Sequence, residues 1–326
     1  MPENITRYVG KRLLYLGITV LLIISFNFVL FRVMPGDIEN IMFGKNATIE
    51  TKAELTKYYG LDKSMPEQFI IYLEQVFTGE FGKSITVYKG STVGSVLGPF
   101  LLNTFILVGF GTVLSVWVGV MLGRVTAWKR GKAVDRFGSS FFLVFYCMPT
   151  FLFALFMLML FARYVPDWPI SGAYSDDYSE MGPFEMIADR SYHTLLPLFA
   201  LVIETIATFS IITRSSLIDV MTEEYMVTAV AKGLGSRDVL HKHAMPNAML
   251  PVVTVIAMNV GWIISGSIMI EAVFSYQGLG YLMYRAVIGY DYPLLQAVFM
   301  LEAIAVIAAN FISDIAMLKM DPRVRI

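Results

Sequence analysis

Phe100-Leu-Leu-Asn-Thr-Phe-Ile-Leu-Val-Gly-Phe-Gly-Thr-Val-Leu-Ser-Val-Trp-Val-Gly-Val-Met-Leu-Gly123 contains no charged residue. Crossing the roughly 30 Å of a bilayer's hydrocarbon takes about 20 residues of helix, and this run is long enough. Its apolar residues do not alternate with polar ones, as barrel strands require, so a helix must satisfy the backbone amides within the segment. Five further runs of the same kind lie at 13–31, 137–162, 194–213, 248–270 and 293–313. The only charges in them are Glu204 and Glu302, and Pro149 near the middle of the third predicts a kink. The expected fold class is an all-α integral membrane protein with about six transmembrane helices.

Composition agrees. Of 326 residues, 56% are hydrophobic and 16% charged, against roughly 25% charged in a soluble domain. A net charge of −1 offers no bulk excess of positive charge to attract nucleic acid. Cys147 is the single cysteine, so no intramolecular disulfide exists and the residue reads as a small apolar one. The first run follows Arg7, Lys11 and Arg12 as in a signal peptide, yet it is too long and lacks a small-residue cleavage site. It reads as an uncleaved first span.

The basic residues orient the chain. With six spans both termini share one side, and the short segments of that side hold fifteen lysines and arginines against three opposite. The positive-inside rule places that side, and both termini, in the cytoplasm. The chain then divides into a cytoplasmic segment and first span at 1–31, an extracytoplasmic insertion at 32–99, and a five-helix core at 100–326 with a cytoplasmic loop at 214–247. The insertion reads as a short helix over 51–59 stopped by Gly60, then a helix opened by Ser64-Met-Pro-Glu67 and closed by Gly79. Phe69, Leu73, Val76 and Phe77 would share one face of the second helix, either to dock a substrate-delivery protein or to cap the spans. The 164–193 loop lies on the same outer side and is rich in Asp and Glu.

The loop 214–247 carries the functional argument. Residues 223–234 have helical periodicity, Gly233-Leu234-Gly235 interrupt them, Ser236 can cap a second short helix with Asp238 in its first turn, and Pro246 would end it. Two short helices joined by a glycine elbow can pass a rigid push to the spans they connect. An ordinary interfacial amphipathic helix is the plainer reading. What favours the first is a resemblance. Gly233, nine residues, then His243-Ala-Met-Pro246, preceded by Tyr225-Met-Val-Thr-Ala-Val-Ala-Lys-Gly233, resembles the signature of ATP-binding-cassette importer permeases, in its dipeptide/oligopeptide branch. The family's Glu-Ala-Ala is matched only in part, by Val227-Thr-Ala229. Met34-Pro-Gly-Asp37, Tyr59-Gly-Leu-Asp62, Gly79-Glu-Phe-Gly-Lys-Ser84, Glu271-Ala-Val-Phe-Ser-Tyr-Gln-Gly-Leu-Gly280, Asp291-Tyr-Pro293 and Asp321-Pro-Arg-Val-Arg325 extend the match in order along the chain.

The resemblance implies a type I importer permease fold. It makes Ala231, Lys232, Gly233, Leu234, Gly235, Ser236 and Arg237 an ATPase-coupling element. It also implies a second similar permease subunit, two ATPase subunits that hold ATP and Mg, and an extracytoplasmic substrate-binding protein, in a prokaryotic inner membrane. The implied cargo is a peptide, an oligosaccharide or a nickel chelate. Near Glu271, the same resemblance suggests an outer gate or re-entrant segment; a simple loop anchor is the alternative.

No chemistry of the chain's own emerges from its motifs. Gly82-Lys83-Ser84 imitates the end of a phosphate-binding loop, but Phe77 stands where the pattern needs glycine. His241 and His243 are two apart and point to different sides of a helix. No Ser/His/Asp arrangement has suggestive spacing, so no cofactor or metal is expected here. An acid at mid-span costs roughly 2.5–3.5 kcal/mol on insertion scales, so Glu204 and Glu302 should face protein or water. With Asn259 they are candidates to line the translocation path, the alternative being interhelical hydrogen bonds. Asn103 and Asn310 are milder cases, and Gly119-Val-Met-Leu-Gly123 has the spacing for close helix contact. An ion-coupled transporter using Glu204 and Glu302 is the rival reading, but no internal repeat supports it.

Overall fold

The computed structural model describes residues 2–33, 50, 53, 56–58, 60–265 and 267–320. The motifs at 34–37 and 321–325, the Asn46 sequon and most of the expected 51–59 helix lie outside the described residues. The main helices are α1 (Pro2–Val33), α2 (Met65–Thr78), α3 (Val93–Trp128), α4 (Ala133–Cys147), α5 (Thr150–Tyr164), α6 (Pro183–Met221), α7 (Glu224–Ala231), α8 (Met245–Ser265), α9 (Ile268–Val273), α10 (Leu279–Ile288) and α11 (Tyr292–Met320). The described residues hold one isolated bridge, between Lys83 and Thr92, and no longer strand pairing.

Small residues bring α3 and α6 together. A Cβ on Gly119 would lie 2.6 Å from Phe209 Cβ, and one on Gly123 would lie 2.6 Å from the Ser210 carbonyl oxygen. The Ser210 hydroxyl donates to the Gly119 carbonyl at 3.2 Å. Only glycine allows such backbone approach, which is how helices gain contact where lipid offers no hydrophobic drive. Gly111 meets Leu198 and Leu201, Gly119 meets Phe209, and Gly123 meets Thr213. Both numbers rise together, so α3 and α6 run parallel.

That direction decides how the segment between them is threaded. The chain leaves α3 at one face and enters α6 at the other, so α4 and α5 together make one crossing. They are bent by 98°, which corrects the expected kinked span at 137–162: it is a broken one. Met148 is extended at ψ 126° because the proline ring behind it disfavours helix, and Pro149 has no N–H to continue the ladder.

Four helices are long and apolar enough to cross a membrane, or five with the bent pair. α8 makes the sixth pass between the faces. Near its start the Ala248 carbonyl accepts from Ser216 on α6, and further along Ile263 reaches Gly109 in mid-α3. The expected run 248–270 stops as a helix at Ser265, and α9 begins at Ile268. α11 returns antiparallel to α1: Phe31 packs on Tyr292, while Asn27 donates to the Gln296 carbonyl at 3.2 Å.

One face, the insertion face, gathers α2, the turn 84–92, the 165–182 loop and the α9–α10 pair. α2 starts and stops as its sequence predicts. Glu67 accepts from the Ser64 N–H at 3.0 Å and its hydroxyl at 2.7 Å, and Gly79 closes the helix. Phe69, Tyr72, Leu73 and Val76 pack on Ile24 and Phe28 of α1. Phe77, expected on that stripe, is 79% exposed: one residue past Val76 it has turned about 100° away. The opposite, or elbow, face gathers the 129–132 turn, α7 and the start of α8.

Candidate functional site

On the elbow face α6 runs on to Met221, so the first residues of the expected loop are helix. Glu223 then precedes α7, which ends in a turn where Gly233 donates to the Val230 carbonyl at 2.9 Å with φ +80°. A side chain there would clash with its own backbone, so the elbow needs this glycine. Gly235, rather than the expected Ser236, takes the extended N-cap position, and Val239 N–H bonds its carbonyl at 3.0 Å.

Pro246 does not end the second helix. Residues Ser236–Asp238 pass into a π-helical stretch, Val239–Ala244, which runs straight into α8. A wider turn ahead of the proline leaves room for its ring, and Met245 N–H there reaches back five residues to the Leu240 carbonyl. The element is therefore one short helix hinged by glycine to the end of a membrane-crossing helix, with no joint between elbow and span.

The two sides of this element differ sharply. Underneath, Met226, Val239, Leu240 and Ala244 are buried against Ala127 of α3, Leu217 of α6 and Ala248 of α8. Each large side chain so placed contributes about 1.5–3 kcal/mol. On top, every residue from Ala231 to Arg237 is exposed, alongside the apolar side chains of Tyr225, Val227, Val230 and Leu234. Lys242 Nζ lies 2.9 Å from Asp238 and holds that carboxyl below its usual range. Exposed apolar residues gathered on such a knob mark an interaction surface, toward protein or membrane.

The three candidate path residues are not joined to one another by any hydrogen bond among the described residues. Half-buried Glu204 of α6 accepts from the Thr150 hydroxyl at the start of α5. Asn259 donates to the Val255 carbonyl of its own helix at 2.8 Å. Glu302 is 9% exposed, and its Oε1 has no hydrogen-bond partner among the described residues.

Two ties on the insertion face escaped the sequence. Glu271 is fully buried and accepts from Thr104 at 3.1 Å, from the Ser267 N–H at 3.4 Å and from the Tyr281 N–H at 3.0 Å. A Cβ on Gly278 would sit 2.5 Å from Thr104 Oγ1. The motif 271–280 thus folds back on its own acid, which caps the start of α10. A Ser/His/Asp cluster also forms in space although the spacing gave no hint of it. Ser175 donates to Asp189 at 2.5 Å and lies 3.1 Å from His193 Nε2, while Nδ1 faces the Ser171 carbonyl. Asp189 Oδ1 also lies 3.5 Å from the same Nε2, so serine and acid share one ring nitrogen instead of flanking the imidazole, and this loop tie lacks the geometry of a nucleophile's triad.

Residues 115–326 match the family described as "Binding-protein-dependent transport system inner membrane component", and residues 5–96 match the N-terminal module of such membrane components. The chain belongs to this family. As an inner membrane component it is a multi-pass protein, in keeping with its six helical passes. It is 33% identical to a probable peptide ABC transporter permease protein of Sinorhizobium fredii, over 98% of this chain and 99% of the relative. It is 31% identical to an oligopeptide transport system permease protein of Bacillus subtilis, covering 95% and 94%. A dipeptide transport system permease protein of Escherichia coli is 33% identical, covering 95% of each. In structure, the component resembles a chain of the inward-facing MetNI methionine ABC transporter, with a TM-score of 0.55 over 70% of this chain and 97% of that one. At 16% identity that likeness speaks to the fold alone.

Proposed function

We propose that this inner membrane component is the permease subunit of an ATP-driven peptide importer and that residues 231–237 couple it to a separate ATPase. The supporting observation is the elbow: seven consecutive exposed residues on a knob whose underside is locked into α3, α6 and α8. The relatives' names, which speak of peptides, oligopeptides and dipeptides, support the substrate class. The basic residues of the elbow face support a cytoplasmic position for it and for both termini.

In this reading the chain pairs with a second, similar permease, and two ATPase subunits bind ATP and Mg beneath them. Closure of the ATPases pushes both elbows. Because the elbow is continuous with α8 and shares a core with α6, the push moves whole helices and opens the path alternately inward and outward. A binding protein delivers substrate at the insertion face. Glu204, Glu302 and Asn259 are the proposed polar points of the path, with the two acids able to meet a substrate amine.

The test is crosslinking with sidedness. In a Cys147→Ser background of the assembled transporter, Leu234→Cys should react with an impermeant maleimide only in inside-out vesicles and crosslink to an ATPase subunit. Asp177→Cys should react only from outside. Reaction of Leu234→Cys from outside, or substrate uptake by this chain without any ATPase, would overturn the proposal.

A further inference from the structure

We infer that Asp135 and Arg214 are positioning residues that brace the broken span α4–α5 to the elbow, so that elbow motion reaches the far side of the chain. The inference rests on the coupling reading above and goes beyond it by naming the transmission route.

The pair sits where three helices meet. Asp135 is in the first turn of α4 and only 5% exposed. Arg214 is on α6, seven residues before the helix ends and the elbow begins. The guanidinium grips the carboxylate with both arms, Nε to Oδ1 at 2.6 Å and Nη2 to Oδ2 at 3.0 Å. Such a fork fixes orientation as well as distance. The remaining acceptor sites of the carboxylate take the Gly131 N–H at 2.9 Å and the Ser139 hydroxyl at 3.1 Å. Asp135 thus ties the α3–α4 turn, α4 and α6 into one node.

The rest of α4 has one packed side, with Phe142 buried and Gly138 against Thr126 of α3, and one open side. Phe137, Phe141, Leu143, Val144 and Tyr146 are all exposed, and beyond Cys147 the chain turns through 98° into α5. Among the described residues, two polar ties add to the packing of this bent arm on α6: Asp135–Arg214 near the elbow, and Thr150–Glu204 at the bend. Both partners on the α6 side belong to one continuous helix. Leu217, one turn past Arg214, is fully buried in the elbow's core with Met226 and Val239. A displacement of the elbow moves this end of α6 directly. The bidentate pair passes that movement to α4 with its orientation fixed, which the packing of Phe142 and Gly138 alone does not do. Were the pair merely a fold stabiliser, its loss would lower the amount of transporter without changing how far each hydrolysis event moves substrate.

The experiment uses the complete transporter, with both permeases, the ATPases and the binding protein, in proteoliposomes. ATP hydrolysis and uptake of a labelled dipeptide are read in the same vesicles. Residues in direct contact have coupling energies that correspond to between about twofold and a hundredfold in an equilibrium. We therefore expect Asp135→Asn to reduce dipeptide moved per ATP about tenfold while hydrolysis stays near wild type. Arg214→Lys keeps the charge but loses the fork, and should fall between the two. If uptake per ATP is unchanged in either variant, the brace is overturned, and so it is if hydrolysis and uptake fall together in both. The Leu234→Cys crosslink, recorded in parallel, separates this result from failure of the coupling reading: an elbow that crosslinks while the ratio holds rejects the brace alone.

Discussion

Asp291 shows what one side chain does in this molecule. It is fully buried at the start of α11, and its Oδ2 accepts from the Ser84 hydroxyl at 2.5 Å and from the N–H groups of Ile85, Thr86 and Val87 at 3.1, 3.0 and 3.0 Å. The three residues that follow the Gly-Lys-Ser triplet build an anion-binding nest of successive amides, to which the triplet adds only the Ser84 hydroxyl, and the anion is the protein's own carboxylate. This tie spans about two hundred residues of chain and pins the 84–92 turn to the last helix. Removing it strands one buried hydroxyl and three part-buried amides, at up to about 1–3 kcal/mol each. Asp291→Ala should therefore destabilise the protein by roughly 3 kcal/mol or more, and Asp291→Asn by less. Thermal unfolding in nanodiscs reads both; an unchanged midpoint for the alanine variant would show that the nest carries no stability. The sequence exposed both halves, as Gly79–Ser84 and Asp291–Pro293, but could not show that they meet.

Among elements, α2 and the elbow illustrate opposite outcomes for the same kind of reasoning. α2 was legible because its ends are local chemistry: Ser64 and Glu67 at one end, Gly79 at the other. That cap also predicts a pH response. The Ser64 hydroxyl and N–H hold the Glu67 carboxyl below its usual range, so the folded pKa is depressed relative to the unfolded chain. The cap's contribution is then present above the ordinary carboxylate value of about 4.3 and is lost as pH falls through the lower folded one. Hydrogen exchange at the start of α2, corrected for intrinsic rate, should show fraying in acid that Glu67→Gln, which cannot ionise, does not add to. Equal acid fraying in both proteins would exclude Glu67 as its cause. In the elbow, local rules misplaced the cap and the stop, because the π-helical turn before Pro246 absorbs the defect that the proline would otherwise cause. Whether a helix yields by ending or by widening depends on what holds it, and here the burial of Val239, Leu240 and Ala244 against three other helices keeps it going.

At the scale of the whole molecule the α3–α6 seam sets the threading. Its parallel direction forces the bent pair to cross once, which keeps the number of passes even and both ends on one side. The seam depends on the absence of side chains. Gly123→Val would drive a Cβ to within 2.6 Å of the Ser210 carbonyl and 2.7 Å of Thr213 Cβ, and overpacking of this sort costs about 1–3 kcal/mol. Gly94, in the same helix with nothing within 4 Å of its would-be Cβ, should accept alanine at no cost. The comparison is read as yield and unfolding midpoint of the two variants. A well-tolerated Gly123→Val would mean that the helices are held apart from one another in the membrane.

The sequence by itself determined that the chain lives in lipid, how many times it passes through, where α2 begins and ends, and that a glycine elbow joins the fourth and fifth passes. These depend on hydropathy over about 20 residues and on caps within one turn, both of which are local. The tertiary structure alone decided that the third pass breaks by 98°, that the elbow is continuous with α8, and that Glu271, Asp291 and Asp135 are spent on holding distant segments. Burying a charged carboxylate costs far less where donors converge on it. In these three cases the converging donors include ones from segments remote in the chain, and that convergence comes into being only when the chain folds.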